Sequence, residues 1–166
     1  MTLDITGQQH RVIAIDGPAA SGKSSVSEML STRLGFLHVN SGIMYRALAW
    51  SVLRSGIQAE DACAVVEHLH EIEICCGISG DKATLTVDGV DPGSELKSSG
   101  VNAGVSAVSK VEEVREVLVA KQREYLEVAD IVMEGRDIGS VVFPDTPYKF
   151  FIDAAIEVRA QRRSKE

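Results

Sequence analysis

The chain has 166 residues, 45% hydrophobic and 25% charged, which predicts one domain, or one domain with a small insertion, and a sizeable core. These proportions exclude a disordered or collagen-like chain. The net charge of −7, from 17 Lys and Arg against 24 Asp and Glu, argues against a nucleic-acid polymer or an acidic membrane as partner, while permitting local basic sites. Arg11-Val-Ile-Ala-Ile-Asp16 is a short apolar run closed by an acid and Gly17, the pattern of a buried parallel strand. Ser24 to Leu34 is expected as a helix with Val26, Met29, Leu30 and Leu34 on its packed face and Gly35 as its C-cap. Phe36 to Val39 is a second short strand, and Gly42 to Ser55 a helix with Met44, Leu48 and Val52 in line. Ala62, Val65, Val66 and Leu69 mark a third helix. Ile72 and Ile74 then alternate with acids, Thr84 to Val87 is β-rich, and Asp88-Gly89 is a turn signal. Glu71 to about Pro92 therefore reads as a small antiparallel patch inserted into an α/β frame. Helical spacing returns at Val101, Val105 and Val108 and again at Val111, Val114 and Leu118. Ile131 to Met133 and Tyr148 to Ile152 are expected as further buried strands, and Asp153 as the N-cap of a last helix running into Arg163. Alternating strands and helices predict a parallel sheet covered on both faces.

No apolar run approaches the ~20 residues of a membrane span. Met1 to His10 lacks the charged-then-apolar order of a signal peptide. Three cysteines without a Cys-x-x-Cys argue against a disulfide framework or a zinc site and for a reducing cytoplasm. Cys63, Cys75 and Cys76 read as ordinary thiols, and His38 as a packed strand residue.

Gly17-Pro18-Ala19-Ala20-Ser21-Gly22-Lys23-Ser24 fits G-x-x-x-x-G-K-[ST], with Ser25 next. The string lies where its mechanism requires, after a strand and opening a helix. Glycines let backbone N–H groups surround a phosphate. The helix start adds partial positive charge. In such a loop Lys23 is placed to reach the β- and γ-phosphates of a nucleotide and the Ser24 hydroxyl to ligate Mg²⁺, but the loop alone does not choose between a kinase, a GTPase switch and an ATPase. Asp16 and Glu134 each end a strand and are candidates to hold Mg²⁺ through water. Asp16 reads equally as a charge on the loop.

Three segments narrow the chemistry. They are Asn40-Ser-Gly-Ile-Met-Tyr-Arg46, Glu134-Gly-Arg-Asp-Ile-Gly139 with Val141-Val-Phe-Pro144 after it, and Ser106 with Arg115 nine residues on. In these, the loop and the inserted β patch, the chain resembles the cytidylate kinases, a family of nucleoside monophosphate kinases, from about Val12 to Glu166. The resemblance implies a three-layer P-loop kinase fold with a central parallel sheet and a small antiparallel insertion. It divides the chain into a core with the phosphate loop and the start of the acceptor-binding region at 1–70, a small β-rich acceptor-binding insertion at 71–100, and the rest of the core, ending at the start of the lid, at 101–166. It also implies a monomeric cytoplasmic enzyme that moves the γ-phosphoryl group of ATP to CMP or dCMP with Mg²⁺.

A monophosphate acceptor carries nearly two negative charges and suits the fork of Arg. The resemblance places Arg46 and Arg136 on that phosphate, with Ser41 adding a hydroxyl. It gives Ser106, Arg115 and Asp137 the cytosine, whose amine and acceptor atoms need complementary partners. From the residues alone, Ser106 reads as a helix-surface residue and Arg115 as a partner of nearby Glu, and a helix-surface charge is the alternative for Arg46. Asp137 reads equally as a structural carboxylate. Lys23, Arg46, Arg136 and Asp137 form the expected catalytic set. Arg159, Arg162 and Arg163 open what the resemblance implies is a lid helix, Arg159 being the residue assigned to ATP. The alternative is a basic helix end.

Asn40 stands where the family commonly has Asp, which removes a charge. Family members continue past Gln161-Arg-Arg-Ser-Lys-Glu166 through the lid to a last strand and helix, so this chain is expected to lack that strand, to bind nucleotides and to turn CMP over poorly. The competing readings are another P-loop small-molecule kinase, whose phosphate-free acceptor would leave the paired arginines unexplained, and a non-catalytic nucleotide-binding protein. A GTP switch would need an N-K-x-D that the chain lacks.

Overall fold

The computed structural model describes residues 10–164. In chain order the elements are β1 (Val12–Asp16), α1 (Lys23–Leu34), β2 (Leu37–Asn40), α2 (Ser41–Arg54), α3 (Ala62–Glu71), β3 (Ile74–Ser79), β4 (Lys82–Val87), α4 (Ser99–Val108), α5 (Glu112–Glu124), β5 (Ile131–Gly135), β6 (Lys149–Phe151) and α6 (Ile156–Arg163). Short turns of 3₁₀-helix lie at 93–97 and 125–127, and a π-helical turn at 138–142. The fold class is α/β, as expected. Among the described residues no helix is long and apolar enough to cross a membrane. The chain forms two compact units, one of residues 10–40, 80–83 and 123–164, the other of 41–79 and 84–122. This division differs from an insertion confined to 71–100, because α2 to α5 share one core.

In the first unit β2, β5, β1 and β6 lie side by side in that order, all parallel. His38 pairs with Lys82 at the start of β4 on the other side of β2. The register sets Asn40 beside Glu134 and Asp16 beside Gly135. Three strands therefore end at one level, and loops beyond strand ends are where open α/β sheets bind ligands. All five residues of β5 are buried. That suits the apolar run Ile131 to Met133, since a central parallel strand is covered on both faces. The run of β6 was expected to be buried, but all three of its residues are exposed, Phe151 at 70%. The reason is position: among the described residues β6 lies at the edge of this sheet and pairs with β1 alone.

Helix α1 forms where expected and ends at Gly35, a left-handed C-cap. Its packed face matches the expected one only at Leu30, which packs against Ile15, Phe36 and Val132. Ser27 and Ser31 are buried, while Val26, Met29 and Leu34 are exposed. Small side chains let the helix approach the sheet closely, and the apolar spacing did not report that. Asp153 does not cap α6. Its carboxylate accepts from the Ala154 amide, and the helix starts beyond Ala155 without a side-chain cap.

In the second unit Leu48, Val52, Val65, Val101, Val108, Val114 and Leu118 form one core from α2, α3, α4 and α5. Asp61 caps α3 by accepting from Ala64, and Ser98 caps α4 by accepting from Val101. The β3–β4 hairpin forms as expected, and Val87 pairs antiparallel with Val90 around Asp88 and Gly89. Both turn residues have positive φ, 51° and 75°, the geometry that Asp-Gly favours. Cys75 is exposed and Cys76 half-buried, as alternate strand positions require; Cys63 is exposed on α3.

Candidate functional site

The loop between β1 and α1 is held by two glycines. A Cβ on Gly17 would stand 2.1 Å from the Ile152 carbonyl oxygen, so only glycine fits there. Gly22 precedes α1 with φ 98°, and no side chain caps the helix start. The amide dipoles of the first turn are thus aimed at the loop, a ready anion site. Lys23 Nζ donates to the Pro18 carbonyl at 3.1 Å, which keeps the ammonium over the loop. The Ser21 hydroxyl is buried in the loop and makes no hydrogen bond among the described residues.

Glu134 is 1% exposed at the end of β5. Its Oε2 accepts from the Ser24 hydroxyl at 2.6 Å, and its Oε1 accepts from Asn40 Nδ2 at 2.9 Å. His38 Nε2 stands 3.4 Å from Oε1. Residues 38 and 40 share a face of β2 because strand side chains alternate. A buried carboxylate persists only with such partners. His38 is largely buried, as expected of a packed strand residue, and that packing sets it beside Glu134.

Asp16 behaves differently from Glu134. Its two oxygens accept from the Ile138 and Gly139 amides at 2.7 and 2.9 Å. The carboxylate thus fixes the start of the turn at 138–142, directly after Arg136 and Asp137. Arg136 is exposed and has no side-chain partner among the described residues. Asp137 is half-buried, and its carbonyl accepts from the Val141 amide at 2.8 Å. Arg159 Nε donates to the Ala154 carbonyl at 3.0 Å and lies 3.6 Å from Asp153. Arg162, not Arg159, touches the loop, donating from Nη1 to the Ala20 carbonyl at 3.1 Å. The side chain of Arg163 lies outside the described residues.

The remaining expected site residues belong to the second unit. Ser41 is buried at the start of α2. Arg46, one turn on, donates from Nη1 to the Leu96 carbonyl at 2.9 Å and to Asn102 Oδ1 at 2.7 Å. Trp50 Nε1 donates to Glu95 at 2.6 Å, which ties the same turn to α2. Ser106 is exposed on α4, and Arg115 is half-buried in the first turn of α5 near Glu112 and Glu113. No local sequence pattern marks Asn102.

Among the described residues no three His, Cys, Asp or Glu side chains gather as a metal cage. The oxygens of Ser24 and Glu134 suit a hard cation that keeps waters and takes the rest of its ligands from phosphates.

Residues 13–166 match the family model described as cytidylate kinase. The chain is 44% identical over 158 residues to a cytidylate kinase of Desulforamulus reducens, covering 95% of this chain and 71% of that protein. It is 46% identical over 154 residues to one of Caldanaerobacter subterraneus subsp. tengcongensis, covering 93% and 67%. To one of Clostridium botulinum it is 42% identical over 154 residues, covering 93% and 69%.

Proposed function

The chain belongs to the cytidylate kinase family, and from that premise we propose how its residues divide the transfer of a phosphoryl group from ATP to CMP. The enzyme is an ATP-dependent kinase acting on CMP. One observation carries the residue assignment: the Ser24 hydroxyl of the phosphate loop is held on the buried Glu134 carboxylate.

The loop from Gly17 to Ser25 binds the ATP phosphates through its backbone N–H groups, Pro18 having none to donate, and Lys23 carries charge to the γ-phosphoryl group. Ser24 and Glu134 would hold Mg²⁺, which when bound neutralises charge developing on the transferred group. Asn40 orients Glu134 without adding a second negative charge. Asp16 supports the 138–142 turn and so the placement of Arg136 and Asp137. Arg162, through the Ala20 carbonyl, steadies the loop. Arg159 is left to reach ATP only by giving up its bonds to Ala154 and Asp153.

On the acceptor side, the family resemblance assigns Arg46, Arg136 and Ser41 to the CMP phosphate, whose oxygen is the attacking group. It assigns Ser106, Arg115 and Asp137 to the cytosine, and residues 71–100 to the acceptor side. A dedicated base is unnecessary, since positioning and charge neutralisation carry most of this reaction. The family resemblance extends the acceptor range to dCMP. The family resemblance makes the working form a cytoplasmic monomer.

ADP release measured with CMP, dCMP, UMP, AMP and shikimate tests the reading. CMP and dCMP should be turned over fastest, and Lys23→Ala should abolish release while the circular dichroism spectrum stays unchanged. Faster release with AMP or UMP would remove the base-reading role from Ser106, Arg115 and Asp137. Faster release with shikimate would remove the acceptor-phosphate role from Arg46 and Arg136.

A further inference from the structure

We propose that Asn102 is a positioning residue for the acceptor phosphate, holding Arg46 so that its guanidinium offers the Nε–Nη2 edge to a phosphomonoester. The inference rests on the assignment of Arg46 to that phosphate. A terminal guanidinium nitrogen carries two hydrogens. Both acceptors of Arg46 Nη1, the Leu96 carbonyl and Asn102 Oδ1, belong to the protein. Nε and Nη2 have no partner among the described residues. Their hydrogens form the side-on edge that matches two oxygens of a phosphate.

Asn102 is itself held at both ends. Its Nδ2 donates to the Lys97 carbonyl at 3.0 Å, and its backbone amide donates to the Ser98 carbonyl at 3.0 Å. Ser98 in turn caps α4. The amide orientation follows from these partners: a flipped amide would set NH₂ against the guanidinium and oxygen against a carbonyl. The acceptor end of Asn102 therefore faces Arg46. The choice of a neutral amide matters as well. A carboxylate at 102 would hold Arg46 by a charge-assisted bond, but it would offset the charge needed for a dianionic acceptor. An amide fixes the guanidinium and leaves that charge available. Holding a long side chain in its bound geometry lowers the ordering cost of binding.

Calorimetric titration of CMP, cytidine and ATP into the wild-type chain and the variants Arg46→Ala, Asn102→Ala, Asn102→Asp and Arg46→Ala/Asn102→Ala tests this. Asn102→Ala should weaken CMP about tenfold, the loss of one hydrogen bond to a charged group. Cytidine, which lacks the phosphate, and ATP should stay within about twofold, because the lost bond acts only on the phosphate partner. Asn102→Asp should weaken CMP at least as much as Asn102→Ala, although it keeps an acceptor. The double variant should bind CMP no more weakly than Arg46→Ala alone, since Asn102 acts through Arg46. Unchanged CMP affinity in Asn102→Ala would overturn the inference while leaving the Arg46 assignment intact. Equal losses for CMP and cytidine, or a further loss in the double variant, would do the same. Unchanged CMP affinity in Arg46→Ala would overturn both. Melting temperatures of all variants separate these outcomes from failure to fold.

Discussion

The Ser24 hydroxyl donates to Glu134 Oε2 at 2.6 Å, joining residues 110 positions apart. The bond links the first turn of α1 to the end of β5. It places the phosphate loop and the best candidate metal carboxylate in one hydrogen-bonded unit.

Replacing Glu134 with Gln keeps the volume and removes the charge. The substituted amide must also face the donor Nδ2 of Asn40. Turnover is expected to fall by about 10²-fold or more, the scale of losing one preorganised electrostatic partner of the transferred group. CMP affinity should change by less than about threefold, because Glu134 is assigned to the metal. Manganese binding followed by electron paramagnetic resonance should weaken in parallel with turnover. A variant with full turnover and full manganese affinity would leave Glu134 with a purely structural role.

Gly17→Ala tests the loop by packing alone. The added methyl would meet the Ile152 backbone oxygen at 2.1 Å, and a backbone atom cannot swing aside as a side-chain tip can. Overpacking of this kind costs roughly 1–3 kcal/mol. The expected result is a lower denaturation midpoint together with weaker ATP binding, since the loop must move to relieve the clash. Unchanged ATP affinity in calorimetry would show that the loop tolerates the shift.

Arg11 and Asp130 give the stability a pH dependence. Asp130 accepts from the Arg11 amide at 2.6 Å and from its guanidinium at 3.0 and 2.6 Å. Burial pushes the carboxyl upward, but the hydrogen bonds and charge of Arg11 outweigh it and hold Asp130 below the usual carboxylate range. A carboxyl lowered by folding stabilises the folded state above its unfolded pKa of about 4. That stabilisation is lost as pH falls through the folded value. Asp130→Asn should therefore melt below wild type at pH 7. The gap should narrow from about pH 4 downward, as the wild-type carboxylate takes up its proton. A gap that stays constant from pH 7 to pH 3 would mean that packing, not ionisation, sets it.

Features that depend only on neighbours in the chain are legible in the residues themselves. The phosphate loop, the strand before it, the helix after it and the Asp88-Gly89 turn each rest on a few adjacent residues and the backbone angles they allow. The alternation of strands and helices was enough for the α/β class and for five of the six strands at their approximate places in the core or patch. Tertiary structure alone decided which residues meet. The register of β2 on β5 set Asn40 and His38 beside Glu134, and no spacing in the sequence encodes that register. Close approach of α1 to the sheet buried Ser27 and Ser31 and left Val26 and Met29 outside, the reverse of what hydrophobic periodicity predicts. Asp16 was spent on two amides over 120 residues away, and Arg46 was fixed by Asn102 across 56. Local patterns record what a segment can become. The hydrogen-bond partners of a carboxylate or a guanidinium depend on which segments pack together, and a segment's own residues do not carry that information.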